Sequence, residues 1–584
     1  MTNHGFKVCH FLTFAIVFLM FINGRSQFVL PGANKTPTWE ECISYYRQLD
    51  DLSPLASCTE VGLTDIGKPL HLFVINSDRV FYPELFDRKK TILMINNAIH
   101  PGEPDGVNAS MMFAQQLLDG SPASLEFLKH VIVCIIPIYN VDGALNRGSY
   151  SRANQNGPAE YGFRGNSKNL DLNRDFIKCD SKNAETFNRV FVRIKPHVLV
   201  DTHVSNGADY PYTMTLITTQ TDKLGGSLGQ FVKSKFEPAL FDEMEKAGDK
   251  MCPYVNTMGR TPETGIVDFF ESPRFATGYA ALFNTIGFTT ETHMLKPFDK
   301  RVQSTFLFLK VLMNYIHANH DEINAAVAKA KEETLKMVHY PVRFELDTTK
   351  RESFEFNGYE AKDIASSVGG GERLYYDHQS PWTRKVHWYR KFKIGHEVVI
   401  PDYYIIPQAW TEAIERLQWN GVVMERLEED TVFEVQGYRI IDSSTGQGPY
   451  EGHYLHSEVE AEELKMQRQF YKGDYVVSTR QEALKYICHV LEPQCDDSFF
   501  AWNFFDSMLQ QKEWFSDYVF EDIAAELLKT DKKLKQEFEQ AINNDTALQN
   551  NHWNQLYWIY RHSPYYEKTF SLYPIFRMSD YRID

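Results

Sequence analysis

The chain is predicted to be an α/β protein: an α/β/α sandwich on a mixed, mostly parallel sheet, followed by a smaller β-rich region and a helical C-terminal part. Three observations predict it. The apolar runs "KPLHLFVINS" (68–77), "KTILMINNAI" (90–99) and "HVIVCIIPIYN" (130–140) have the length and β-branched content of strands. Between the last two, "GVNASMMFAQQLLDG" (106–120) reads as a helix ended by Gly120, and strand–helix–strand order makes neighbouring strands parallel. Two further strands, "KPHVLVDTHV" (195–204) and "GFTTETHM" (287–294), carry polar residues at their ends. Ligands of such sheets lie beyond the carboxyl ends of the strands, where His100, Asp201, His203 and Glu291 all fall.

In chain order, residues 1–26 read as a signal peptide. Lys7 is its basic start, "FLTFAIVFLMFI" (11–22) its apolar centre and Gly24-Arg25-Ser26 its small-x-small cleavage site. The apolar run falls short of the roughly 20 residues that span a bilayer. The expected location is therefore secreted or periplasmic, with no membrane span in the mature form. "PTWEECISYYRQL" (37–49) is helical, with Thr38 as its N-cap. Long helical structure after Lys300 closes a first domain over 27–339. From about Tyr340 the runs "PVRFELD", "SFEFNGYE", "KVHWYRKFKI" and "EVVIPDYYIIP" alternate as strands of a β-rich accessory region, 340–456, with "SSVGGGERL" a loop. Residues 457–584 read as helical and aromatic-rich.

The composition, 43% hydrophobic and 24% charged, is that of a globular protein. A net charge of −16 argues against a nucleic-acid binder, which needs a basic face to meet phosphates, so no nucleic-acid partner is expected. Seven cysteines follow the leader; Cys42–Cys58 and Cys488–Cys495 are candidate bridges, and Cys134 reads as a buried thiol. With no CxxC pair, cysteine-ligated zinc is not expected.

Two motifs mislead. "GHEVVI" (395–400) opens like a zinc-protease HExxH helix, but Ile400 replaces the second histidine and the β-branched run makes a strand. "GGSLG" (225–229) matches the GxSxG serine elbow at Ser227, but no strand runs into it. "INNAIHPGEPDGVNAS" (95–110) is more informative. It holds His100 and Glu103 three residues apart in a stiff loop, and a catalytic zinc takes three protein ligands, two histidines and a glutamate being one usual set. "VLVDTH" offers His203 as the third.

"NVDG" (140–143), "NLDLNRDF" (169–176) and "TTETHMLKPF" (289–298) complete a series: HxxE, NxDG, DxNR, a single histidine, then glutamate. In that order they make the chain resemble the M14 (carboxypeptidase A-like) zinc carboxypeptidases over roughly residues 37 to 320. The resemblance implies one Zn2+ ion held by His100, Glu103 and His203, with Asp171 orienting the first histidine. It implies Glu291 as general base, Arg152 steadying the oxyanion, and Asn173 and Arg174 receiving the substrate's terminal carboxylate. Tyr279 matches the family's active-site tyrosine, with Arg274 a rival contact. The implied substrate is a peptide with a free C-terminal carboxylate. Gly102 stands where digestive members often carry arginine, and the tail beyond about Tyr340 resembles the extensions of exported bacterial members.

Three alternatives stay open. "DLNR" and "DTH" also resemble aspartoacylase-like deacylases of N-acyl amino acids; "NVDG", the long 204–290 segment and the export signal favour the peptidase. A noncatalytic peptide or glycan receptor would have lost Glu291 or a ligand, and none is lost. A Ser227 hydrolase would survive chelation.

Overall fold

The computed structural model describes residues 34–579, so the expected leader lies outside the described residues. Nine strands lead the chain: β1 (Ala56–Leu63), β2 (Pro69–Ile75), β3 (Thr91–Asn96), β4 (Val131–Ile136), β5 (Val198–Ser205), β6 (Met214–Thr218), β7 (Cys252–Pro253), β8 (Ile266–Val267) and β9 (Ile286–His293). All but β8 form one sheet in the order β1-β2-β4-β3-β5-β9-β6-β7. Its centre, β4-β3-β5-β9, is parallel; β1 and β2 pair antiparallel with their neighbours, and β6 is antiparallel to β9 and parallel to β7. β3, β4 and β5 are buried along their whole length, as strands covered on both faces must be.

Helices cover that sheet. α1 (Trp39–Leu52) starts with a capping box in which Thr38 and Glu41 satisfy each other's backbone amides, as its sequence predicts. α2 (Asp105–Leu117) crosses from β3 towards α3 (Pro122–His130), and Gly120 turns the chain at φ +75° three residues beyond its end. α4 (Lys182–Ile194) leads into β5. α5 (Phe298–Leu335) runs 38 residues and buries Phe308, Leu309, Leu312 and Ile316 in the core, each contributing roughly 1.5–3 kcal/mol.

One buried ion pair fixes the frame around the cleft. Arg301 of α5 grips Asp105, the first residue of α2, through Nε at 2.8 Å and Nη2 at 3.3 Å. Its remaining N–H groups donate to the carbonyls of Asn156, Lys296 and Gly157, and Thr292 of β9 donates to Asp105 at 2.5 Å. Helix α5, the loop before α2 and the end of β9 are thereby locked together; removing one partner of such a pair costs about 3–5 kcal/mol.

The remainder is strand-rich and then helical. β10 (His339–Leu346) and β13 (Phe392–Val399) pair, as do β11 (Glu352–Ala365) and β12 (Glu372–Tyr389), and the end of β12 joins β8 in parallel. "GHEVVI" is the end of strand β13 and its surroundings, not a helix. Trp388, Val386 and Phe356 pack with Tyr210 and Tyr212 as a small core, so the aromatic alternation of that hairpin is packing. β14 (Tyr403–Ile406), β15 (Glu425–Arg426), β16 (Thr431–Thr445), β17 (His456–Phe470), β18 (Tyr475–Ser478) and β19 (Phe576–Met578) form one sheet. The β16–β17 hairpin runs through the expected boundary at 456/457, and helical structure resumes only at Leu484. The seven described cysteines are all free thiols, so neither candidate bridge forms. Among the described residues no helix is long and apolar enough to cross a membrane.

Candidate metal centre and active-site cleft

The ends of β3, β5 and β9 bring His100, Glu103, His203 and Glu291 to one wall of a cleft of about 500 Å³. His100 follows β3 in a turn closed by the Glu103 N–H donating to the His100 carbonyl at 2.8 Å. A Cβ on Gly102 would lie 2.6 Å from Arg152 Cδ and 3.2 Å from the Gly162 carbonyl. The loop has glycine there because the Arg152 stem fills the space.

Each histidine spends one ring nitrogen on a carboxylate. His100 Nε2 lies 2.9 Å from Asp171 Oδ1, and His203 Nε2 lies 2.7 Å from Asp201 Oδ2, two residues earlier on the same face of β5. Nε2 is the donor in both pairs, since a carboxylate only accepts. In the neutral imidazoles each Nδ1 then presents a lone pair, and the two Nδ1 atoms face each other at 3.2 Å. Glu103 Oε2 lies 3.3 Å from each. Three converging acceptors at these spacings have the edge lengths of a tetrahedron about a cation with ligands roughly 2.0–2.1 Å away. The donor set fits zinc, and it is the one such trio among the described residues.

The electrostatics agree. Burial opposes charge on Glu103, but His100 and Arg152 hold its carboxyl well below the usual range. Burial likewise opposes charge on His203, yet Asp201, Glu103 and Glu291 raise it well above its ordinary value. The cluster is thus a field that favours positive charge. Burial, outweighed by His100, Arg164 and Arg174, leaves Asp171 depressed.

Glu291 of β9 is in register with His203 of β5. Its Oε2 is buried and has no hydrogen-bond partner among the described residues. Burial, opposed by His203 and reinforced by Glu103 and Glu271, pushes its pKa up to about 8. Arg152 Nη1 donates to Glu103 Oε1 at 2.9 Å. Asn173 and Arg174 form a short 3-10 turn capped by Asp171, and both line the cleft. The Arg174 guanidinium lies 4.2 Å from the Phe275 ring centre.

Tyr279 is not brought to this cleft. It is fully buried, donates to Asn420 Oδ1 at 2.6 Å and packs among Phe176, Phe191 and Phe283. The tyrosine that lines the cleft is Tyr254. Arg274 points away, its Nε donating to Asp497 at 2.8 Å. Ser227 opens a helix and is held by Glu333 through its amide and hydroxyl, so no nucleophile elbow exists there. Sequence reasoning placed Asp201 at a strand end without giving it a role, and passed over Arg164. Asp201 was legible as the carboxylate two before His203; Arg164 donates to Asp171 at 2.9 Å and to Glu103 at 3.3 Å, but nothing in "GFRGN" announces it. It also passed over Glu271, a buried carboxylate on the cleft wall.

Residues 42–222 match the family model of Peptidase M14, zinc carboxypeptidase. Carboxypeptidase 2 of Trichophyton equinum is 20% identical over 436 residues, covering 70% of this chain and 73% of that protein. Carboxypeptidase 2 of Trichophyton rubrum is also 20% identical, over 437 residues, with the same coverage. Among solved structures, the carboxypeptidase A of Helicoverpa armigera overlaps with a TM-score of 0.38 at 15% identity, covering 56% of this chain and 82% of that one. The matched segment holds His100, Glu103, Asp171, Asn173, Arg174 and His203. Residues 42–222 therefore match the Peptidase M14 zinc carboxypeptidase family, and the relatives to which the longer stretch is similar are carboxypeptidases.

Proposed function

We propose that the protein hydrolyses the C-terminal peptide bond of peptides, with one zinc ion held by His100, Glu103 and His203 and Glu291 as general base. The observation that carries this reading is the meeting, in one cleft, of three converging metal-ligand atoms and a buried carboxylate oxygen that has no partner among the described residues. When bound, zinc supplies Lewis acidity and makes water a stronger acid. Glu291 takes the proton of the attacking water and delivers it to the leaving nitrogen, its buried oxygen having no competing partner among the described residues. Arg152, and beside it Arg164, face the negative charge that develops on the carbonyl oxygen. Asn173 and Arg174 receive the terminal carboxylate, the planar guanidinium suiting its two oxygens.

The side chain of the released residue lies against Ile217, Tyr254, Phe269 and Phe275, with Glu271 among them. Glu271 accepts a hydrogen bond from Thr277 and forms no ion pair among the described residues, which favours a long side chain with a cationic end. We also read residues 1–26 as an export signal, so the protein is secreted or periplasmic, and the chain as three parts, 27–339, 340–456 and 457–584, the last two sharing the sheet that holds β16 and β17. Sequencing the N-terminus of the mature protein tests the first, and limited proteolysis the second.

Mass spectrometry of a mixed pool of peptides and N-acyl amino acids incubated with the protein tests the activity. Loss of single C-terminal residues is expected. Products from acyl amino acids alone would assign the deacylase reaction instead, and no product of either kind with zinc supplied would favour a receptor.

A further inference from the structure

The turn joining β16 to β17 lies more than 200 residues beyond the match to the zinc carboxypeptidase family, yet it reaches back to the cleft. Tyr450 accepts a hydrogen bond from Arg174 Nε at 3.1 Å through its hydroxyl oxygen. Glu451 Oε2 accepts from the Asp171 N–H at 2.7 Å. The two residues thus hold the arginine of the carboxylate subsite and the carboxylate that orients His100.

This turn is built to stay in place. Tyr450 and His453 exchange both backbone hydrogen bonds, at 2.7 and 3.0 Å, across a tight reversal. Glu451 adopts φ +51°, a conformation that non-glycine residues take rarely and that the surroundings must enforce. The enforcing contacts are visible. The Tyr450 ring stacks on the fully buried Trp502 at 6.1 Å and 19°, and His453 Nε2 lies 2.8 Å from Asp180. Arg274 lies over both rings, 5.5 Å from Tyr450 and 5.0 Å from Trp502, and is anchored on the buried Asp497.

Arg174 shows the consequence. Phe275 covers one face, Nη1 donates to the Asn173 carbonyl at 2.8 Å, and Tyr450 takes the Nε proton. Nη2 makes no hydrogen bond among the described residues, and the guanidinium lines the cleft. A long side chain with several rotamers is therefore fixed, with one edge left for a ligand, before any substrate arrives. Such preorganisation lowers the entropy lost on binding.

We propose that the turn at residues 446–453 is part of the carboxylate subsite, with Tyr450 and Glu451 as positioning residues for Arg174 and Asp171. The C-terminal part is then required for recognition of the substrate terminus. This rests on the reading of Arg174 as the carboxylate receptor.

The test is steady-state kinetics on the full chain with Tyr450→Phe, which removes one oxygen and keeps the stacking ring. KM for a peptide with a free C-terminus is expected to rise roughly tenfold with kcat held, since a hydrogen bond to a charged group is lost. Inhibition by a hydroxamate lacking a carboxylate should be unchanged. Glu451→Ala should also raise KM, and Glu451→Gln, which keeps an acceptor for the Asp171 amide, should stay within about twofold of wild type. An unaltered KM in Tyr450→Phe overturns the proposal, as does equal weakening of substrate and hydroxamate, which would mark the turn as packing only. A wild-type enzyme that treats free and amidated C-termini alike instead refutes the reading of Arg174.

Discussion

Asp201→Asn isolates what a buried carboxylate does for a metal-facing histidine. Asp201 is fully buried, takes the His203 Nε2 proton at 2.7 Å and accepts from Asn96 Nδ2 at 3.0 Å. An asparagine at 201 must turn either its oxygen or its NH2 towards His203. With the NH2 towards the ring, His203 would have to carry its proton on Nδ1, facing the metal. With the oxygen towards the ring, the new NH2 meets the Asn96 amide. Asn96 Oδ1 is buried without a partner among the described residues, so after a flip that amide accepts from the new donor. Residue 201 then keeps both its hydrogen bonds, while the negative charge is lost and the Asn96 NH2 takes the position in which Oδ1 had no partner. Loss of such supporting groups weakens metal binding about 10–100-fold, and recovery of both hydrogen bonds at residue 201 places Asp201→Asn near the low end, about 1.4 kcal/mol. Asp201→Ala, which leaves His203 without its acceptor, belongs near the high end. Competition with a chromogenic zinc chelator reads both affinities without reference to activity. Affinity within about twofold of wild type in both variants would refute the idea that Asp201 fixes the His203 tautomer.

Three further predictions concern metal, specificity and pH. Zinc at 100 times its Kd should stabilise the metal-free protein by about 2.7 kcal/mol and raise Tm in calorimetry; His203→Ala should abolish that shift. Glu271→Gln should lower kcat/KM for peptides ending in Lys or Arg about tenfold relative to those ending in Phe, and an unchanged ratio would remove Glu271 from side-chain recognition. His197 accepts the Ile92 N–H at 3.0 Å through Nδ1, and burial, with Lys331 and Arg88 nearby, pushes its pKa down to about 3 from an ordinary value of 6.5. The unfolded chain therefore binds the extra proton first. The His197 contribution is complete above pH 6.5 and is lost as pH falls towards 3. Urea unfolding at pH 7 and pH 5 should show His197→Asn with a shallower loss of stability than wild type.

The metal trio was legible because its chemistry is local. His100 and Glu103 share one stiff turn, and His203 ends an apolar strand whose parallel neighbours end at the same level. Glu291 was legible for the same reason, being in register with His203. Tyr279 was named for its likeness to the family's active-site tyrosine, but the short helix that carries it is buried along its length. Its hydroxyl is satisfied in the core by Asn420, 141 residues away. The residues of β17, "HSEVEAEELKMQRQF", are rich in helix formers, which is why the region past Ser457 read as helical. Pairing with β16 overrides that propensity. The contacts of Tyr450 and Glu451 with the cleft span 276 and 280 residues and follow from tertiary packing, so no local pattern signals them.

The most direct test of the account pairs zinc content with turnover in wild type and Glu291→Gln. The account predicts one zinc per chain in both proteins, release of a single C-terminal residue by the wild type, and a loss of kcat of at least about 100-fold in the variant, the scale of a missing general base. A variant that keeps both its zinc and its turnover would contradict the assignment of Glu291. A wild type that holds no zinc would contradict the metal centre itself.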